Sequence, residues 1–170
     1  LKKIICPNCY SDKFSILEDE VKCDNCKKNF ILNSNQIIFD EVYSLTDYKQ
    51  KTFSLNVRKK KNFTWRELNY IKTKNWLRKI NSNATCLDLG CGPMTNKELF
   101  SNHNKTIFID GAKFDNVNIV CNFEKKIPIK DTSIDCILLS NVLEHIFYPE
   151  NLLSEINRIL KPGGKCLILV

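Results

Sequence analysis

A chain of 170 residues, 43% apolar and 26% charged, has room for one ordinary domain and a small appendage. No apolar run approaches the roughly 18 residues of a membrane span, and no signal-peptide pattern opens the sequence, so no membrane role and a cytoplasmic setting are expected. The net charge of +7 is uneven: residues 1–80 hold 17 Lys and Arg against 9 Asp and Glu, residues 81–170 hold 9 against 10. A basic first half can attract RNA or another anionic partner. The plainer account is an abundance of lysine along the whole chain.

Residues 1–40 carry two Cys-x-x-Cys pairs, Cys6/Cys9 and Cys23/Cys26, separated by 13 residues and set among short β-like runs at 13–17, 20–22, 29–32 and 36–39. Each pair can offer two thiolates to one ion, and two pairs complete a tetrahedral shell. A segment of this size needs such a staple in place of a core. A closed four-cysteine shell has no open position, so the expectation is a small N-terminal β zinc ribbon with a structural Zn2+. Iron in the same shell is the alternative, and disulfides fit a chain without a secretion signal least well. Cys86, Cys121, Cys136 and Cys166 lie in expected strands and read as small core residues.

Residues 41–63 are polar and irregular and read as a linker. Its basic cluster, Arg58 to Lys61, suits either phosphate contacts or a solvated run. From 64 to 170 the pattern is that of an α/β domain with a Rossmann-like parallel sheet. A helix is expected over 65–80, opened by the capping-box pair Thr64 and Glu67 and burying Trp65, Leu68, Ile71 and Leu77. Trp65 and Trp76 read as packing residues rather than base-stacking ones. Strands are expected at 84–89, 105–110, 118–122 and 134–140, and a fifth from about 165. A helix is expected near 95–102 and another over 149–160, with Pro149 in its first turn and Lys161-Pro162-Gly163-Gly164 at its end. The second helix is expected to bury Leu152, Leu153, Ile156, Ile159 and Leu160. The run that closes the sequence reads as a strand in progress, so a longer natural chain is expected. Without that continuation the fifth strand keeps an unpaired edge, a site for self-association.

The candidate binding site begins at Thr85 to Leu89, where an apolar strand carries Asp88 and breaks into the Gly90-Cys91-Gly92-Pro93 turn. Glycines just past a buried parallel strand let a ligand approach the backbone closely. Open α/β sheets bind nucleotide-like ligands at that end of their strands.

Four segments together carry a resemblance: Asp88 to Pro93; Asp110-Gly111; Ser140 to His145; and Leu160 to Gly164. In order and spacing they resemble class I methyltransferases that use S-adenosylmethionine, of the type 11-like group, over roughly residues 80–170. That resemblance implies a truncated version of the family's sheet, with about five strands present. It implies that the Gly90–Gly92 loop passes beneath the methionine half of the cofactor and that Asp88 helps position it. It further implies that Asp110 takes the ribose hydroxyls, that Asn122 and Phe123 meet the adenine, and that Asn141 closes over the methionine group. Three departures stand out: Met94 where a third glycine is usual, Asn122 where an Asp is common, and too little chain between Asp110 and Asn118 for the usual helix. The open side of the sheet there can be left bare or covered by the N-terminal half.

A nicotinamide dinucleotide is the rival cofactor, but its fingerprint expects a further glycine at position 95, where this chain has Thr95. Glu144 and His145 invite a general-base role; the plainer reading is that they cap the turn after the fourth strand. His103 is expected in an exposed polar turn. A zinc ribbon ahead of such a domain resembles ribosomal RNA guanine methyltransferases, and also bacterial methyltransferases acting on small metabolites. The acceptor is therefore unidentified: a small metabolite or sugar-containing precursor is favoured, and RNA or a non-catalytic binding role are the alternatives.

Overall fold

The structure, a computed structural model, describes residues 2–40, 64–93, 97–115 and 117–170. The linker at 41–63, with its basic cluster, and Met94 and Thr95 lie outside the described residues. Four short strands come first: β1 (Phe14–Ile16), β2 (Glu20–Cys23), β3 (Asn29–Asn33) and β4 (Gln36–Ile38). They form an antiparallel meander. After α1 (Trp65–Leu77) come β5 (Thr85–Leu89), β6 (Lys105–Asp110), β7 (Ile119–Val120), β8 (Ile134–Ser140), α2 (Pro149–Ile159) and β9 (Leu160–Leu169). The five expected parallel strands are present, in the order β7-β6-β5-β8-β9. No described helix is long and apolar enough to cross a membrane.

The ribbon does not stand apart from this sheet. β4 pairs with β7 in parallel, Ile37 opposite Ile119 and Ile38 opposite Val120, so a single nine-stranded sheet runs through both parts. The first residues of the chain add a second seam, an antiparallel bridge between Ile4 and Ile129 with the Lys130 N–H donating to the Lys3 carbonyl. Between these seams Val21, Phe30, Ile37 and Phe39 are buried in the same core as Leu87, Ile109, Ile137 and the α2 residues Leu152, Ile156 and Ile159. The ribbon thus packs its apolar side on one face of β6 and β7. α1 covers the other face, packing Leu77, Tyr70 and Trp76 against Cys86, Phe108, Val120 and Leu138.

Several expectations are corrected. The third strand spans two residues, Ile119–Val120, because its pairing partners β4 and β6 overlap it only there. The helix expected near 95–102 is, among its described residues, a single 3-10 turn at Lys97–Phe100 that buries Leu99 and Phe100. α1 keeps its Thr64–Glu67 capping box but presents a different face to the core: Trp65 and Leu68 are exposed, while Thr73 and Leu77 are buried. In α2, Leu153 is likewise exposed. His103 is buried rather than exposed, its ring edge-on to Phe100, and neither ring nitrogen has a partner.

Arg158 in the last turn of α2 holds the segment between β7 and β8. Its guanidinium donates to the carbonyls of Ile127 and Ile129 at 2.9 and 2.8 Å and pairs with Glu155 and Asp131. Glu155 in turn accepts from the Ile127 N–H at 2.8 Å. Arg158→Ala orphans the Ile129 carbonyl, takes one of two donors from the Ile127 carbonyl and unpairs a half-buried Glu155, so it is expected to cost about 3 kcal/mol. Urea denaturation of wild type and variant measures this.

Candidate functional site

Two groups of chemistry-bearing side chains lie outside the ordinary core. The first is the cysteine cluster. Cys6-Pro7-Asn8-Cys9 and Cys23-Asp24-Asn25-Cys26 form matching loops: the Tyr10 N–H donates to the Cys6 carbonyl at 2.8 Å and the Lys27 N–H to the Cys23 carbonyl at 2.9 Å. Tyr10 and Lys27 both take left-handed φ, 63° and 61°, to make these turns. The four Sγ atoms lie within 4.8 Å of one another, with Cys6–Cys26 at 3.7 Å and Cys9–Cys23 at 3.5 Å. Zinc–sulfur bonds of about 2.3 Å set tetrahedral sulfur–sulfur edges of about 3.8 Å, so the four sulfurs already surround a hole of that size. Hydrogen bonds aim at the sulfurs as well. The Asn25 side chain, followed by the Ser11 N–H, lowers the Cys9 thiol to about 6. The Lys28 N–H, then the Asn8 side chain, lowers Cys26. Burial raises Cys6. Among the described residues this is the one cluster with metal-ligand geometry.

The second group stands at the carboxyl ends of β5, β6, β7 and β8. After β5 the chain turns through Gly90 at φ 82° and Gly92 at φ 55°. The Gly90 and Cys91 N–H groups both donate to the Ile109 carbonyl, at 2.8 and 3.1 Å. The Gly92 N–H donates to Asp110 Oδ2 at 2.7 Å, and the Ala112 N–H to Asp110 Oδ1 at 2.8 Å. Asp110 thereby ties the glycine loop to the end of β6. Each of its oxygens keeps a lone pair, enough for a vicinal diol.

Glycine at position 90 is required sterically as well as by φ. A Cβ there would stand 2.1 Å from Val142 Cγ2. Val142 is brought so close by Asn141, which takes a left-handed φ of 55° after β8 and donates its N–H to the Leu169 carbonyl at 2.8 Å. At Gly92, by contrast, a Cβ would meet nothing within 4 Å among the described residues.

Asp88 is 1% exposed, and neither carboxylate oxygen has a hydrogen-bond partner among the described residues. Burial first, and the neighbouring Asp110 second, push it up to about 7. Burial also raises Asp110, against the pull of its N–H donors. An unpartnered buried carboxylate is costly unless something cationic arrives to meet it.

The other expected site residues fall as follows. Cys91 turns its side chain into the core beneath α1, leaving only backbone for the loop. Gly111 follows Asp110 directly. Asn122 begins a tight turn whose Glu124 N–H donates to Asn122 Oδ1 at 2.8 Å, and Phe123 is buried in the core. Glu144 and His145 are exposed on a 3-10 turn, Leu143–His145, whose His145 N–H donates to the Val142 carbonyl. Sequence reasoning passed over three contacts: Val142 against Gly90, Glu124 accepting from the Phe147 N–H at 2.8 Å, and Asp40 beside Asn122. Only the first had a sequence signal, since a glycine after a strand asks what stands against it.

A buried, unpaired acid, a glycine loop and a diol-sized acceptor at Asp110 suit a cationic nucleoside ligand. Comparison with known proteins agrees. Residues 73–168 match the family model described as "Methyltransferase domain". The chain belongs to this methyltransferase family, and its fold is that of the class I, S-adenosylmethionine-dependent group. An uncharacterized protein of Methanocaldococcus jannaschii is 36% identical over 94 residues, which is 49% of this chain and 39% of that protein. A ubiquinone/menaquinone biosynthesis C-methyltransferase of Hahella chejuensis is 23% identical over 151 residues, 78% of this chain and 57% of that protein. Among solved structures the [4+2]-cyclase SpnF superposes with TM-score 0.53 at 18% identity, over 64% of this chain and 47% of that one. The chain therefore spans well under two thirds of the length of each of these relatives.

The Asp88 environment has a pH signature. The unfolded carboxyl titrates near 4, while the native one holds its proton to about 7. Between these values the native state binds more protons than the unfolded state, so this contribution to stability falls as pH rises. Relative to Asp88→Asn, the wild type is expected to lose on the order of 4 kcal/mol between pH 4 and pH 8. Urea unfolding of both proteins across that range measures it, and parallel curves would contradict the assignment.

Proposed function

We propose that this chain is the cofactor-binding part of a methyltransferase that uses S-adenosylmethionine on a small-molecule acceptor, with a structural zinc ion in its ribbon. The observation that carries the reading is Asp88, a fully buried carboxylate without a partner among the described residues, beneath a glycine loop that Asp110 holds in place. When bound, S-adenosylmethionine supplies a methyl group already activated on its sulfonium. This chain's residues then have binding and aligning to do. Asp110 would take the ribose diol, Asp88 the positive charge of the methionine half, the Gly90–Gly92 loop and Asn141 its length, and Asn122 and Phe123 the adenine. Because Asn122 Oδ1 already accepts from Glu124, its amide NH2 is the group left to address a base.

Two observations support a small acceptor. Phe147 and Tyr148, 88% and 61% exposed, follow the turn after β8 and make an apolar rim at the site's end of the sheet. The Hahella relative carries a name from quinone biosynthesis. A sugar-containing precursor belongs to the same reading.

Calorimetric titration of S-adenosylhomocysteine into the natural-length protein is expected to give micromolar affinity, with none for NADH. Asp110→Ala should weaken it at least tenfold, as loss of a charged hydrogen-bonding pair implies. A folded protein that binds neither ligand would sink the methyltransferase reading.

For the ribbon, elemental analysis is expected to find one zinc per chain, lost in Cys9→Ser and on treatment with a strong chelator. Because Val21, Phe30 and Phe39 belong to the shared core, metal loss should lower the melting temperature of the whole domain rather than melt the ribbon alone. An unchanged single transition after complete zinc removal would contradict the structural role.

A further inference from the structure

The ribbon reaches the candidate cofactor site through one side chain. β4 runs parallel to β7, so its carboxyl end lies at the same end of the sheet as Asp110 and Asn122. The Phe39 N–H donates to the Val120 carbonyl at 3.0 Å, extending the pairing one residue past β4. Phe39 itself is buried against Phe30, with ring centroids 4.7 Å apart, which fixes the chain where it leaves the ribbon.

Asp40 comes next. Its Oδ2 accepts from the Asn122 N–H at 3.4 Å and its Oδ1 from Lys125 Nζ at 2.9 Å. Both contacts fall on the turn that begins at Asn122, whose carbonyl also accepts from the Lys125 N–H at 3.2 Å. The side chain of Asp40 is 18% exposed, that of Lys125 62%. Between Asn122 and Asp110 only Cys121 intervenes in the pairing, its N–H donating to the Asp110 carbonyl at 3.1 Å.

We propose that Asp40 is a positioning residue for adenine recognition: it fixes the backbone of Asn122 so that the Asn122 side chain meets the base. The ribbon is then a working part of the cofactor site as well as a cover for the sheet. This rests on the S-adenosylmethionine reading above.

The turn at 122–125 is short and would otherwise be held by its own Asn122–Glu124 bond and by the Glu124–Phe147 contact. Neither of these constrains the Asn122 N–H. Asp40 supplies that constraint from outside the turn, and it is charged, which strengthens the bond relative to a neutral acceptor. Asp40→Asn keeps an oxygen for the Asn122 N–H while giving up most of the attraction to Lys125. Asp40→Ala gives up both.

The test uses zinc-loaded natural-length protein, with S-adenosylhomocysteine and S-inosylhomocysteine as probes in calorimetry. Asp40→Ala is expected to weaken S-adenosylhomocysteine about tenfold, and to narrow the preference for the adenine probe over the hypoxanthine one. Asp40→Asn is expected to restore most of both. Lys125→Ala, which leaves the Asn122 contact in place, should bind within about twofold of wild type. The proposal is overturned if Asp40→Ala binds like wild type. It is also overturned if both probes weaken equally with a lowered melting temperature, or if Asp40→Asn is as weak as Asp40→Ala. Absence of binding by the wild type would overturn the cofactor reading, and this proposal with it.

Discussion

The two-register pairing of β4 with β7 is the contact on which the rest of the arrangement depends. β7 is only Ile119–Val120, and on its own it would be a weak edge beside β6. An exposed edge strand offers unpaired N–H and C=O groups to any neighbour. Here the ribbon's last strand takes that edge, and the meander β1–β4 moves the end of the sheet out to a short strand, Phe14–Ile16. The same pairing brings Val21, Phe30 and Phe39 over the face of β6 and β7. The chain from Asp110 to Ile119 is too short for a crossover helix, and its loop residues Phe114 and Val117 share the opposite face with α1. The cysteine cluster makes this economical. A knot of four thiols around an ion can stiffen a 40-residue segment that lacks a core of its own, and the stiffened segment then lends its apolar side to the sheet.

At the carboxyl ends of the strands the organising problem is electrostatic. Two carboxylates, Asp88 and Asp110, are buried near each other, and the fold treats them differently. Asp110 is satisfied by backbone N–H groups of the glycine loop and of Ala112, and so works as a clasp between β5 and β6. Asp88 has no donor among the described residues. Burial first, and the neighbouring Asp110 second, raise its titration. Gly90 and Val142 close the loop from the β8 side through a contact that no residue with a side chain could accommodate.

The fold alone leaves the reaction open. A [4+2]-cyclase shares the architecture at TM-score 0.53, which is the general lesson that chemistry resides in sites rather than folds. What narrows the choice here is local: the paired acids, the glycine loop and the turn at Asn122. The exposed aromatic pair Phe147 and Tyr148 is tied to that turn through Glu124, which accepts from the Phe147 N–H.

The sequence by itself determined the strands with strong apolar runs, β5, β6 and β8, the helix that opens at Pro149, the Thr64–Glu67 cap, and the residues of the glycine loop and the cysteine pairs; β9 begins at Leu160 rather than near 165. These are local features: a run, a cap or a spacing is written in neighbouring residues and survives in any context. Tertiary structure decided the rest. Which face of α1 is buried depended on where the sheet lay, so Trp65 and Leu68, apolar by pattern, ended outside while Thr73 went in. His103, polar and in a turn, was buried with its ring edge-on to Phe100, which packs in turn against Phe108. The union of ribbon and sheet, and with it Asp40 beside Asn122, rests on a pairing between residues about 80 positions apart. No local pattern encodes such a partner, because a parallel edge strand gains its register from the strand it meets.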